Sequence, residues 1–154
     1  MCRQDVLRLK KSVKPLDIVL AIETTIQADS TTEQSRVAAD GSIYQKGDVL
    51  YCTYKEAADG GEIRHTIKIA SGRVTILRRG AVEMRQQFIP SRKTEGEYKT
   101  PYGLFPIAAK TKELQFAWDE KRLRGQLLLA YDLWIKGNYT GFYTVKIVME
   151  GAQS

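Results

Sequence analysis

One stretch of this chain, Arg78-Arg79-Gly80-Ala81-Val82-Glu83-Met84-Arg85-Gln86-Gln87-Phe88, concentrates the residues best suited to chemistry. Met84, Gln86 and Phe88 alternate with charged or polar neighbours and so share one face of a strand. A glutamine between Met and Phe on an apolar face must find a partner in a protein group such as a neighbouring strand's side chain, in water or in a bound molecule. Arg78 keeps the parity of Val74 and Ile76. Its guanidinium suits a carboxylate, whether that of a ligand or that of Glu83 or another protein acid. Tyr98 and Tyr131 would add phenol groups to the same interior. The candidate ligand-binding set is therefore Arg78, Met84, Gln86, Phe88, Tyr98 and Tyr131, and the chemistry it suits is that of an apolar pocket with a few orienting polar groups.

The single histidine, His65, lies on the apolar parity of Ile63, Ile67 and Ile69. An imidazole so placed serves either as a general base or as a hydrogen-bonded ring in the interior. One histidine and two cysteines, Cys2 and Cys52, make neither a zinc set nor a paired-thiol motif. No phosphate loop, nucleophile elbow or dinucleotide fingerprint occurs, so no catalytic residue, metal or cofactor is implied. An enzyme of unrecognised type has no local motif behind it.

Positioning those residues requires strands. Leu16, Ile18, Leu20 and Ile22 alternate with Asp17, Val19, Ala21 and Glu23, and period two dominates from there on. Val49–Tyr54 reads as the next clear strand. The runs around Ile63–Ile69, Val74–Arg78 and Val82–Phe88 follow. Leu123, Leu127, Leu129, Tyr131, Leu133 and Ile135 share one parity, and Tyr139, Tyr143, Val145, Ile147 and Met149 another, with Gly137-Asn138 as a hairpin signal between them. Lys46-Gly47-Asp48, Asp59-Gly60-Gly61, Ser71-Gly72 and Thr100-Pro101-Tyr102-Gly103 punctuate the other runs. About eight to ten strands with short loops predict an all-β, antiparallel meander closed into a barrel, with a two-sheet sandwich as the alternative.

A net charge of +6 invites comparison with nucleic-acid binders. Residues 1–15 carry Arg3, Arg8, Lys10, Lys11 and Lys14 against Asp5, so four of those charges sit in a basic N-terminal arm and the body carries only two. That arm, where Val6, Leu9 and Val13 could line a short helix ended by Pro15, is the one route to RNA or another polyanion; it would supply affinity without reading sequence. Aliphatic runs such as Leu127–Ala130 are far short of the roughly 20 residues of a spanning helix, and the N-terminus lacks the layout of a signal peptide. A cytoplasmic protein without membrane insertion is the expectation; oligomeric state is not encoded in any of these patterns.

Several blocks, in order, resemble a known family: Ala39-Asp40-Gly41-Ser42-Ile43-Tyr44, Leu50-Tyr51-Cys52-Thr53-Tyr54, Ser71-Gly72-Arg73-Val74, Arg79–Phe88, Leu129-Ala130-Tyr131-Asp132-Leu133 and Glu150-Gly151. From about Leu16 to Gly151 the chain is similar to the YwiB-like family, uncharacterised bacterial proteins with a calycin-like (lipocalin-type) β-barrel. The resemblance implies that barrel as a single domain over residues 16–151, outside which the arm lies. It carries no established activity and no catalytic residues. By analogy with calycin barrels, it implies a small apolar or amphipathic ligand in the interior. The alternative function is a surface interaction module for protein or RNA that uses the arm.

Overall fold

The computed structural model describes residues 15–152, and the expected arm falls almost entirely outside them. Ten strands follow one another: β1 (Leu16–Ala28), β2 (Thr31–Lys46), β3 (Val49–Ala58), β4 (Gly61–Ala70), β5 (Arg73–Gly80), β6 (Glu83–Phe88), β7 (Lys93–Thr100), β8 (Gly103–Asp119), β9 (Arg124–Ile135) and β10 (Asn138–Gly151). Every sequential pair is antiparallel and hydrogen-bonded, and β10 returns to pair with β1, so the meander closes into a barrel. Closure removes the exposed sheet edges that an open meander or a sandwich would leave. No helix among the described residues is long and apolar enough to cross a membrane.

In a meander, alternate turns lie at opposite ends. The β1–β2, β3–β4, β5–β6, β7–β8 and β9–β10 turns share one end, and the remaining turns share the other. Burial differs between the two. At the second end Ile18, Leu20, Ile43, Leu50, Val74, Trp118, Leu127, Leu129 and Met149 fill the lumen. Cys52 joins them with no exposed surface, and burial pushes its thiol pKa up to about 12. Since the thiolate is the nucleophile, Cys52 is expected to resist iodoacetamide in the native protein and to react once unfolded, as read by peptide mass mapping. Native-state labelling of Cys52 would show that this end is loosely packed.

Three local expectations need correction. The last hairpin turns at Lys136-Gly137, one residue earlier than Gly137-Asn138, with φ of 54° and 80°. Two successive positive φ values match the twist of the strands they join. Tyr139 does not share a face with Tyr143. A bulge between Tyr139 and Gly141 inserts one residue into β10, so Tyr139 is exposed and donates its hydroxyl hydrogen to Asp132 Oδ1 at 2.6 Å. Finally, β2 is a 16-residue strand where no alternation marks one: its first part, Thr31–Ala38, extends with β1 beyond β3 and is exposed on both faces.

Candidate functional site: a cavity at one end of the barrel

Along the inward faces of β5, β6 and β9, burial declines toward the β5–β6 end. On β5 it falls from Val74 to Arg78, on β6 from Phe88 to Met84, and on β9 from Leu129 to Ile135. Three strands losing burial in the same direction describe a lumen that widens toward its mouth. A cavity of about 210 Å³ occupies it.

All six candidate side chains, Arg78, Met84, Gln86, Phe88, Tyr98 and Tyr131, line this cavity. Cross-strand register explains their convergence. Arg78 pairs with Met84 and Met84 with Tyr98, which forms a belt near the mouth. Ile76 pairs with Gln86 one step deeper, and Val74 with Phe88 below that. Phe88 and Tyr131 make the floor, with ring centroids 4.5 Å apart and planes at 50°. Tyr143 stacks on Tyr131 at 5.3 Å. Ile76, Ile107, Leu133 and Ile135 complete apolar walls.

The candidate set drawn from the sequence omits Ile76, Ile107, Leu133, Ile135 and Tyr143. Ile76, Leu133, Ile135 and Tyr143 carry the inward parity, so a signal for them exists. Ile107 is hidden because β8 changes parity midway. A bulge between Thr111 and Glu113 moves the inward positions from Phe105, Ile107, Ala109 and Thr111 to Leu114, Phe116 and Trp118.

The Gln86 amide nitrogen finds protein partners. β6 and β7 pair only from Glu83 to Arg85, and the Gln86 amide bridges the gap that follows. Its Nε2 donates to the carbonyls of Gln87 and Thr94 at 2.8 and 3.1 Å, with Thr94 Oγ1 at 3.2 Å. Thr94 Oγ1 in turn donates to the Gln87 carbonyl. Gly96 makes room, since a Cβ there would collide with Arg85 O and Gln86 Oε1. Oε1 itself is buried without a partner among the described residues, an arrangement that costs about 1–3 kcal/mol unless something else donates to it.

Arg78 does not pair with Glu83. Among the described residues no carboxylate lies within ion-pair reach of it, and its Nε is buried without a hydrogen-bond partner. Its charge acts on Tyr54, His65 and Tyr131, on β3, β4 and β9. Those strands stand on different walls, so the guanidinium projects into the lumen. Burial raises the Tyr131 phenol pKa well above its usual value and the Tyr54 phenol to about 12, and Arg78 opposes both shifts.

His65 takes the interior-ring alternative. It is buried, stacks on Tyr54 at 4.4 Å and 3°, and donates Nε2–H to Glu56 Oε1 at 2.7 Å. Burial lowers its pKa, with the positive charge of Arg78 acting the same way and the Glu56 hydrogen bond opposing. A histidine pKa lowered by folding means that the unfolded chain binds the proton more readily. Its contribution is therefore intact above about pH 6.5 and is lost as pH falls below that value. Urea midpoints measured from pH 7.5 to 5 should decline for the natural protein and decline less for His65→Gln. Parallel declines would assign the loss to other groups.

Among the described residues no group of histidine, cysteine and acidic side chains could hold a metal ion. The cavity combines apolar walls with one cation near the mouth.

Comparison with known proteins adds kinship without chemistry. Residues 20–147 match the family described as "Domain of unknown function (DUF1934)". The "Uncharacterized beta-barrel protein YwiB" of Bacillus subtilis (strain 168) is 29% identical over 134 residues, covering 87% of this chain and 93% of that one. The crystal structure of the ywiB protein from Bacillus subtilis superposes with a TM-score of 0.82 over 90% of this chain and 94% of the other, again at 29% identity.

Proposed function

Because this chain belongs to the DUF1934 family, whose description assigns no activity, we propose from the geometry of the barrel that it binds a small apolar or amphipathic molecule in the widened end of its lumen. The observation that carries this reading is the pairing of apolar walls with Arg78, which among the described residues has no acid partner and whose Nε has no hydrogen-bond partner. Interiors avoid both empty volume and unmatched polar groups. A ligand with one acceptor end and one apolar end would fill the volume and pair with Arg78. The lipocalin-type likeness of the sequence supports the same reading by analogy alone.

Size limits the ligand. At roughly 30 Å³ per water in the liquid, the cavity has room for only about seven waters, which fits a molecule of about eight to ten non-hydrogen atoms. Native mass spectrometry of protein purified from its own host should show a reproducible small bound mass. Leu133→Trp, which fills the cavity from β9, should abolish it while leaving the circular dichroism of the barrel unchanged. A bound mass retained in that variant would place the ligand elsewhere, and a clean apo mass from the host would count against the reading.

A further inference from the structure

Resting on that reading, we infer that the ligand is a small monoanion, a short-chain carboxylate whose head group is held by Arg78 at the mouth and whose apolar body lies on the floor made by Phe88 and Tyr131. Three observations converge. Among the described residues, Arg78 is the only charged side chain lining the cavity, and no carboxylate neutralises it. The nearest acid along the inward face, Glu56, is engaged by His65. The register puts Arg78 beside Met84, above Ile76 and Gln86 and farther still from Phe88. A cation among aromatic and aliphatic groups with its Nε unmatched is a strong attractor for an anion, because the surroundings screen the charge less than water does.

The register and the small cavity volume together bound the length of the ligand. With the head group at the level of Arg78, the chain can run inward only as far as Phe88 and Tyr131, both nearly without exposed surface. Below them the lumen is solid. A chain much longer than six carbons would have to bend back through the mouth. A neutral alcohol of equal length would fit the walls and leave the guanidinium unmatched.

The experiment is isothermal titration of the full chain with hexanoate, 1-hexanol and dodecanoate, repeated on Arg78→Met and Arg78→Lys. Hexanoate should bind about ten- to a hundredfold more tightly than hexanol, the range of a hydrogen bond to a charged group. Dodecanoate should bind more weakly than hexanoate. Arg78→Met should remove the preference for the acid and keep the affinity for hexanol; Arg78→Lys should retain part of the preference, since an ammonium keeps the charge without the fork. Equal binding of acid and alcohol, or a preference that survives Arg78→Met, overturns the monoanion and leaves the pocket standing. Binding of none of the three overturns both. Should Arg78→Met fail to fold, the comparison of hexanoate with hexanol on the natural protein and on Arg78→Lys decides alone.

Discussion

Leu129→Ala is expected to cost about 3–5 kcal/mol of stability, and Leu133→Ala, two turns of the pleat farther along the same face of β9, less than about 2 kcal/mol. Leu129 has no exposed surface and belongs to the packed cluster of the solid end, where the removed atoms leave a void that neighbours cannot fill. Leu133 is half-buried and already borders the cavity, so truncation enlarges an existing space instead of opening one. Transfer and cavity costs therefore add at the first site and largely drop out at the second. Urea unfolding with both variants in the same buffer reads the difference directly. Equal losses would mean that the lumen is packed alike at both ends, and the case for a pocket would go with them.

The second large effect is expected at Gly80. It ends β5 at φ +122°, a conformation that side chains with a Cβ rarely adopt, and a Cβ there would run into the Glu62 carbonyl oxygen on β4. That oxygen accepts the hydrogen bond of Ala81 N at 3.1 Å, which anchors the β5–β6 turn. Gly80→Ala combines backbone strain of about 1–3 kcal/mol with a collision of similar size, so a loss of about 2–5 kcal/mol is expected. Gly60→Ala is the control. Gly60 also has a positive φ, +85°, but nothing lies within 4 Å of its added Cβ. It should lose only about 1 kcal/mol. Thermal melts of the two variants separate strain from collision. Since Arg78 and Met84 flank this turn, the glycine also sets the spacing of the mouth, and Gly80→Ala should weaken whatever binds there.

What could be read from the residues follows what each strand faces. β4, β5, β6 and β9 each keep one wall in the lumen and the other in solvent, and their alternation displays the inward set from Ile63 to Arg78 and from Met84 to Phe88. That alternation suffices to group Arg78, Met84, Gln86 and Phe88 as inward-facing. Tyr98 and Tyr131 line the same space, although cross-strand register, which decides such meetings, is not written in a single strand. The failures share a cause, the loss of period two. Thr31–Ala38 is solvated on both faces and so carries no alternation at all. The bulges on β8 and β10 reverse parity within one strand, which hides Ile107 and misplaces Tyr139. No pattern announces that Arg78 lacks an acid partner; that is a fact of three-dimensional neighbours.

The central claim, a barrel solid at one end and open to a small molecule at the other, is tested most directly by methyl-resolved NMR during titration with 1-hexanol. Saturable shifts confined to Ile76, Met84, Ile107, Leu133 and Ile135, with Leu20, Leu127 and Met149 unmoved, are the predicted result. Shifts at the latter three, or no saturable shift at any methyl, would contradict it.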